Sequence, residues 1–107
     1  MLNKEVTPIE LKKMMDTHED FQLIDVREEH EFETCQIGGK LIPMGTVAQH
    51  VDEIAKDKKV IVHCRSGKRS ATVIDMLEQN FGYTNLYNLK GGILAYADDV
   101  DPKLTKY

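Results

Sequence analysis

Cysteine is scarce in this sequence, with Cys35 and Cys64 the only two in 107 residues. Two cysteines do not build a disulfide framework in a chain of this size. Neither C-x-x-C nor H-x-x-x-H spacing occurs, which argues against a structural zinc, and no other metal or cofactor signature stands out. No apolar run approaches the ~20 residues a membrane span requires. The opening, MLNKEVTPIE, lacks the apolar core of a secretory signal, so the chain reads as soluble and cytoplasmic. Repeats, low-complexity tracts and Pro/Gly/Ser linkers are also missing, and residues 1–107 read as one domain. Positive charge is not in excess: the net charge is −4, which disfavours nucleic acid or an anionic membrane as the main partner. What remains is 41% hydrophobic and 30% charged, the balance of a folded domain rather than a disordered one.

The pattern along the chain alternates. In VTPIELKKMMD, Thr7 is placed as an N-cap and Pro8 as the first helical residue, with Ile9, Leu11, Met14 and Met15 at helical spacing. FQLIDV (21–26) is a short apolar strand. REEHEFE (27–33) suits a short solvated helix, its run of glutamates (Glu28, Glu29, Glu31, Glu33) facing water. IGGKLIP (37–43) brings a glycine pair and a strand closed by Pro43. TVAQHVDEIAKD (46–57) is amphipathic, with Thr46 as its cap and Val47, Val51 and Ile54 on one face. KVIVHC (59–64) is a near-continuous apolar strand of the kind buried on both faces of a parallel sheet. SATVIDMLEQNFG (70–82) reads as a helix with Ala71, Ile74, Leu77 and Phe81 along one stripe and Gly82 as its left-handed cap. NLYNL (85–89) is a strand, and GGILAYADD (91–99) opens a last helix. Strand and helix alternate throughout, which predicts an α/β fold with a mostly parallel central sheet.

Against an acidic average, VIVHCRSGKRSA (60–71) places three cations, Arg65, Lys68 and Arg69, within five residues of Cys64. A parallel α/β sheet presents ligands at the carboxyl ends of its strands, and Cys64 ends the most apolar strand. The connection to the next helix is short. Gly67 permits the positive φ of a tight curl, and such a curl turns successive N–H groups inward as an anion nest at a helix N-terminus. Nest dipoles, a helix N-terminus and nearby cations can lower the pKa of a thiol to about 3.5–7.5, and the thiolate is the nucleophile. The site is built for nucleophilic sulfur chemistry on an anionic substrate. A cysteine ending a strand can also be a small buried hydrophobe. The cations argue otherwise, because they are costly to gather without an anion. Lys68 and Arg69, read as preceding the helix, oppose its dipole and so call for a functional reason; Arg65 is the one most suited to plain solvation.

At this point the chain resembles the single-domain rhodanese-like sulfurtransferases over nearly its whole length. LIDVREEHEFE resembles their D-x-R segment and its downstream acidic-aromatic pair, here Asp25, Arg27, Glu31 and Phe32. QIGGKLIP resembles their turn and strand, with Gln36 and Gly38 where His and Pro are usual and one residue fewer. VIVHCRSGKRSA resembles the active-site strand, loop and helix start. LKGGILAYADDVDP resembles the closing segment, with Tyr96 where Trp is common. The resemblance implies a rhodanese-like domain: a mostly parallel sheet of about five strands flanked by helices on both faces. It also implies a transfer cycle without a cofactor. Cys64 takes a sulfane sulfur from an anionic donor such as thiosulfate, becomes a persulfide, and yields the outer sulfur to an acceptor. Arg65, Ser66, Gly67, Lys68, Arg69 and Ser70 would form the substrate cradle, with Lys68 and Arg69 closest to substrate. Asp25 and Arg27 would be a supporting polar pair near the sheet end. Thioredoxin, a desulfurase or a ubiquitin-like sulfur-carrier protein are the partners implied, and DDVDPKLTKY resembles the end of rhodanese domains fused to adenylating enzymes.

Two rivals stand beside this reading. Cysteine phosphatases and arsenate reductases also use a His-Cys pair and an anion-cradling loop, but their loop is C-x₅-R. Here that arginine position is Ser70, and Arg69 comes one residue early. A non-catalytic rhodanese-fold interaction module is the other rival, yet the cysteine and the loop cations are all present. Cys35 reads as a small turn-packing residue with a possible redox role. His63, which alternates away from Cys64, reads as packing. His18, His30 and His50 fall in polar stretches, and Met14, Met15 and Met76 read as core filler.

Overall fold

A computed structural model describes residues 4–107. Five strands form one all-parallel sheet in the order β1-β5-β4-β2-β3. They are β1 (Glu5–Val6), β2 (Phe21–Asp25), β3 (Lys40–Leu41), β4 (Lys59–His63) and β5 (Leu86–Leu89). Four helices alternate with them: α1 (Pro8–Asp16), α2 (Glu29–Thr34), α3 (Lys68–Phe81) and α4 (Gly92–Asp99). A 3₁₀ segment, Met44–Glu53, joins β3 to β4.

The central strand β4 is apolar because both its faces are covered. Val60 and Val62 pack into a cluster with Val73, Ile74 and Leu77 of α3 and with Val47 and Ile54. Ile61, pointing the other way, joins Leu11 and Met14 of α1 and Tyr96 of α4. The alternation of a strand thus feeds two helical layers at once. Met15 and Met76 pack at the edges of these clusters as expected. The first helix begins as its sequence predicts. Thr7 Oγ accepts from the Glu10 N–H at 3.1 Å and Glu10 Oε1 accepts from the Thr7 N–H at 2.8 Å, with Pro8 at the first position. Gly82 caps α3 with φ +70°, also as expected.

Several expectations are corrected. β1 was not anticipated, and two residues carry no period to detect. The expected helix over 46–57 is the 3₁₀ segment instead, starting earlier at Met44 and broken by non-helical angles at His50. Thr46 does not cap it; its hydroxyl donates back to the Pro43 carbonyl at 2.9 Å. α3 begins at Lys68, two residues before the expected start, so Lys68 and Arg69 lie inside its first turn. Its buried stripe is Ser70, Val73, Ile74 and Leu77, whereas Ala71 and Phe81 face solvent. Ile9 of α1 is likewise exposed, at 64%.

Candidate active site

The C-terminal edge of the sheet gathers the chemistry. Cys64 follows β4 directly, and only Arg65, Ser66 and Gly67 separate it from α3. So short a link closes because Gly67 takes φ +103°, a left-handed angle that side-chain-bearing residues rarely adopt. The curl then points its N–H groups at sulfur. Gly67 N–H donates to Cys64 Sγ at 3.1 Å, and the main chain at Ser66 and Ser70 also favours the ionised sulfur. The Ser70 hydroxyl lies 3.5 Å from the same sulfur. Cys64 is only 1% exposed. Burial pushes its thiol up, but the Ser70 hydroxyl and the main chain of the loop outweigh burial and hold it below an ordinary thiol.

Two further elements hold the curl from outside. The N-terminus of α4 docks on it, with Ile93 N–H donating to the Cys64 carbonyl at 2.9 Å and Leu94 N–H to the Arg65 carbonyl at 3.2 Å. This approach needs glycine: a Cβ on Gly92 would stand 2.4 Å from the Arg65 carbonyl oxygen. From β5, the Asn88 amide donates to the Gly67 carbonyl at 3.0 Å and accepts the Ser70 hydroxyl at 2.6 Å.

Beside the curl runs a charged network. Arg27 is fully buried. Its Nε and Nη2 donate to the Asp25 carboxylate at 2.9 and 2.7 Å, and Nη2 reaches the Cys35 carbonyl at 2.7 Å. Burial works against the guanidinium charge, and the bonds to Asp25 and Tyr107 more than restore it. Glu31 accepts four hydrogen bonds. They come from the Glu28 N–H (2.9 Å), from both Arg69 terminal nitrogens (2.7 and 2.8 Å) and from the Tyr107 hydroxyl (3.0 Å). The Arg69 fork holds the Glu31 carboxyl down at about 2, against the resistance of burial.

The family model of the Rhodanese-like domain matches residues 7–99. The chain belongs to this family. The rhodanese-like domain is 34% identical over 101 residues to the putative sulfurtransferase YtwF of Bacillus subtilis, covering 94% of this chain and 96% of that one. It is 41% identical over 83 residues to B. subtilis YqhL, covering 77% and 65% respectively. It is 30% identical over 105 residues to the probable adenylyltransferase/sulfurtransferase MoeZ of Mycobacterium tuberculosis, covering 95% of this chain. It spans 26% of MoeZ, about a quarter of that protein's length. Among solved structures, a rhodanese-like domain protein from Staphylococcus aureus superposes with a TM-score of 0.81 at 33% identity, over 91% of this chain and 94% of that one.

Within this rhodanese-like domain the structure brings Cys64, Ser66, Gly67 and Ser70 together around the sulfur. Asp25 and Arg27 form a buried pair behind α2. Arg69 is forked onto Glu31 rather than free. Lys68 and Arg65 are exposed, and Arg65 stacks on the Tyr107 ring at 5.1 Å. His63 is buried, and neither ring nitrogen has a hydrogen-bond partner among the described residues; burial lowers its pKa and keeps it neutral. His18, His30 and His50 are exposed. Cys35 is half-buried, and both cysteines are free thiols.

Glu31 overturns its assignment to a solvated face: it is buried and paired. Sequence reasoning also missed Asn88 and Tyr107. Glu31 sits at the third position of α2, where its carboxylate reaches back to the N-cap N–H, but the exposed Glu10 of α1 does the same, so this local pattern does not reveal burial. Asn88 and Tyr107 act through contacts across 18 to 80 residues, which no local pattern reveals. Among the described residues no helix is long and apolar enough to cross a membrane.

Proposed function

We propose that this rhodanese-like domain transfers a sulfane sulfur through a Cys64 persulfide. The Cys64 thiolate attacks the outer sulfur of an anionic donor such as thiosulfate. An S–S bond forms to Sγ, the donor's own S–S bond breaks, and sulfite leaves with the electron pair. A thiophilic acceptor, cyanide in an assay, then takes the outer sulfur and Cys64 leaves as thiolate. The observation that carries this reading is the Gly67 N–H at 3.1 Å and the Ser70 hydroxyl at 3.5 Å converging on one sulfur atom at the end of β4. That nest stabilises the thiolate, and it would hold the terminal sulfur of the persulfide as well. The names of the sulfurtransferase relatives support the same chemistry.

Phosphoryl transfer is less well served. An arginine that clamps a phosphoryl group must point into the loop, and Arg69 spends both terminal nitrogens on Glu31. By charge, the exposed Arg65 and Lys68 suit an anionic donor or an acidic segment of a protein acceptor. A sulfur-carrier protein, a desulfurase persulfide and thioredoxin are the partner classes this reading admits, at a cytoplasmic address.

The test is intact-mass measurement after incubation with thiosulfate, beside an assay with p-nitrophenyl phosphate. One added sulfur atom, removed by cyanide and absent in Cys64→Ser, is expected. Phosphate release without sulfur uptake would replace this reading with the phosphatase one.

A further inference from the structure

Tyr107 lies outside the loop that makes the sulfur site, yet it touches three of the charged groups around it. Its hydroxyl accepts from Arg27 Nη1 at 3.0 Å and donates to Glu31 Oε2 at 3.0 Å. Its ring carries the Arg65 guanidinium at 5.1 Å, and its main-chain oxygen accepts from Arg65 Nη2. The segment leading to it is fastened along α4. Val100 N–H bonds the Tyr96 carbonyl at 2.9 Å, Leu104 N–H bonds the Asp101 carbonyl at 3.1 Å, and Lys106 pairs with Asp98. Val100 and Leu104 pack on the apolar layer beneath. Tyr107 is therefore delivered to the cations by a folded segment.

These contacts hold Arg65 without using it up. A guanidinium has five N–H donors in a planar fork. One is spent on the Tyr107 oxygen, and the ring occupies a face, which leaves edges free for an oxyanion. Arg69 is held one step further away, through Glu31. A long cation on an exposed loop would otherwise lose rotamer freedom each time it met substrate. Pinning it in advance favours binding of an anion and gives nothing to a neutral reagent.

We propose that Tyr107 is a positioning residue that sets the preference of the Cys64 site for anionic over neutral reagents, by fixing Arg65. This rests on the reading of Cys64 as a nucleophile toward an anionic donor. The test does not depend on sulfur transfer. Alkylation of Cys64 by iodoacetate, an anion, and by iodoacetamide, its neutral counterpart, is timed by peptide mass in the wild type and in two variants. Tyr107→Ala loses every side-chain contact, and the iodoacetate-to-iodoacetamide rate ratio should fall about 3- to 10-fold, with the iodoacetamide rate and its pH midpoint unchanged. Tyr107→Phe keeps the stack on Arg65 and loses the bonds to Arg27 and Glu31, so its ratio should fall less. With thiosulfate, Tyr107→Ala should raise KM and leave kcat unchanged. A ratio that holds in Tyr107→Ala overturns the proposal, whether the two rates stay fixed or move together. If thiosulfate adds no sulfur to the wild type, the transfer reading fails and the alkylation ratio still decides the role of Tyr107.

Discussion

At Cys64 burial and hydrogen bonding pull in opposite directions, and hydrogen bonding prevails. Ser70 is the adjustable part of that balance. Its hydroxyl has one proton to give, and Asn88 at 2.6 Å is a nearer acceptor than sulfur at 3.5 Å. Ionised sulfur competes for that proton far better than a thiol does. Ser70→Ala should therefore move the pH midpoint of Cys64 alkylation by iodoacetamide upward by roughly one pH unit, equivalent to about 1.4 kcal/mol. An unmoved midpoint would mean that the loop N–H groups hold the thiolate alone. Asp25 and Arg27 obey a different rule. Their mutual bonds offset the cost of burying two charges, and removing either partner strands the other, at about 3–5 kcal/mol.

At the scale of elements, the site depends on how closely α4 approaches the curl after β4. Gly92 sits at φ +64° with the Arg65 and Cys64 carbonyls against it. Gly92→Ala should lower the unfolding free energy from urea melts by about 1–3 kcal/mol through backbone strain alone, with the clash adding to that. Cys64 alkylation should change with it. Gly45→Ala, where nothing lies within 4 Å, is the matched control and should stay within about 0.5 kcal/mol. Equal melts for the two would show that the α4 approach is soft.

The same scale explains what the sequence makes legible. The β4 strand, the Thr7 cap and Pro8 start of α1 and the Gly82 cap are local patterns, written in a few adjacent residues, and they match. Local patterns mislead where tertiary contacts decide. The amphipathic 46–57 stretch forms a 3₁₀ segment, and α3 recruits Lys68 and Arg69 into its first turn because Gly67 turns sooner than composition suggests. Glu31 looks like one of four solvated glutamates until Arg69 arrives from 38 residues away. The loop from Cys64 to Ser70 was readable because its residues are contiguous; the walls supplied by Asn88 and Tyr107 were not.

For the whole molecule, two buried groups set the acid response. His63 is held neutral, its pKa below 6.5, so the unfolded chain binds a proton that the native one refuses as pH falls through 6.5. Glu31 is held ionised down to about 2, against 4.5 when free, so its contribution is present above 4.5 and lost between 4.5 and about 2. Both signs agree: stability falls on acidification, in a first stage below pH 6.5 and a second below 4.5. Urea melts across pH 3–8 should show both stages, and Glu31→Gln should flatten only the second. A stability that rises as pH drops from 7 to 5 would contradict the assignment of His63.

The order in which the chain is synthesised gives the docking of α4 a further meaning. Cys64 leaves the ribosome well before Ile93 and Leu94, whose N–H groups clasp the carbonyls of Cys64 and Arg65. Until they arrive the curl lacks its outer clamp. The loop that lowers the Cys64 pKa is thus sealed from outside by α4, the last of the described helices to be made.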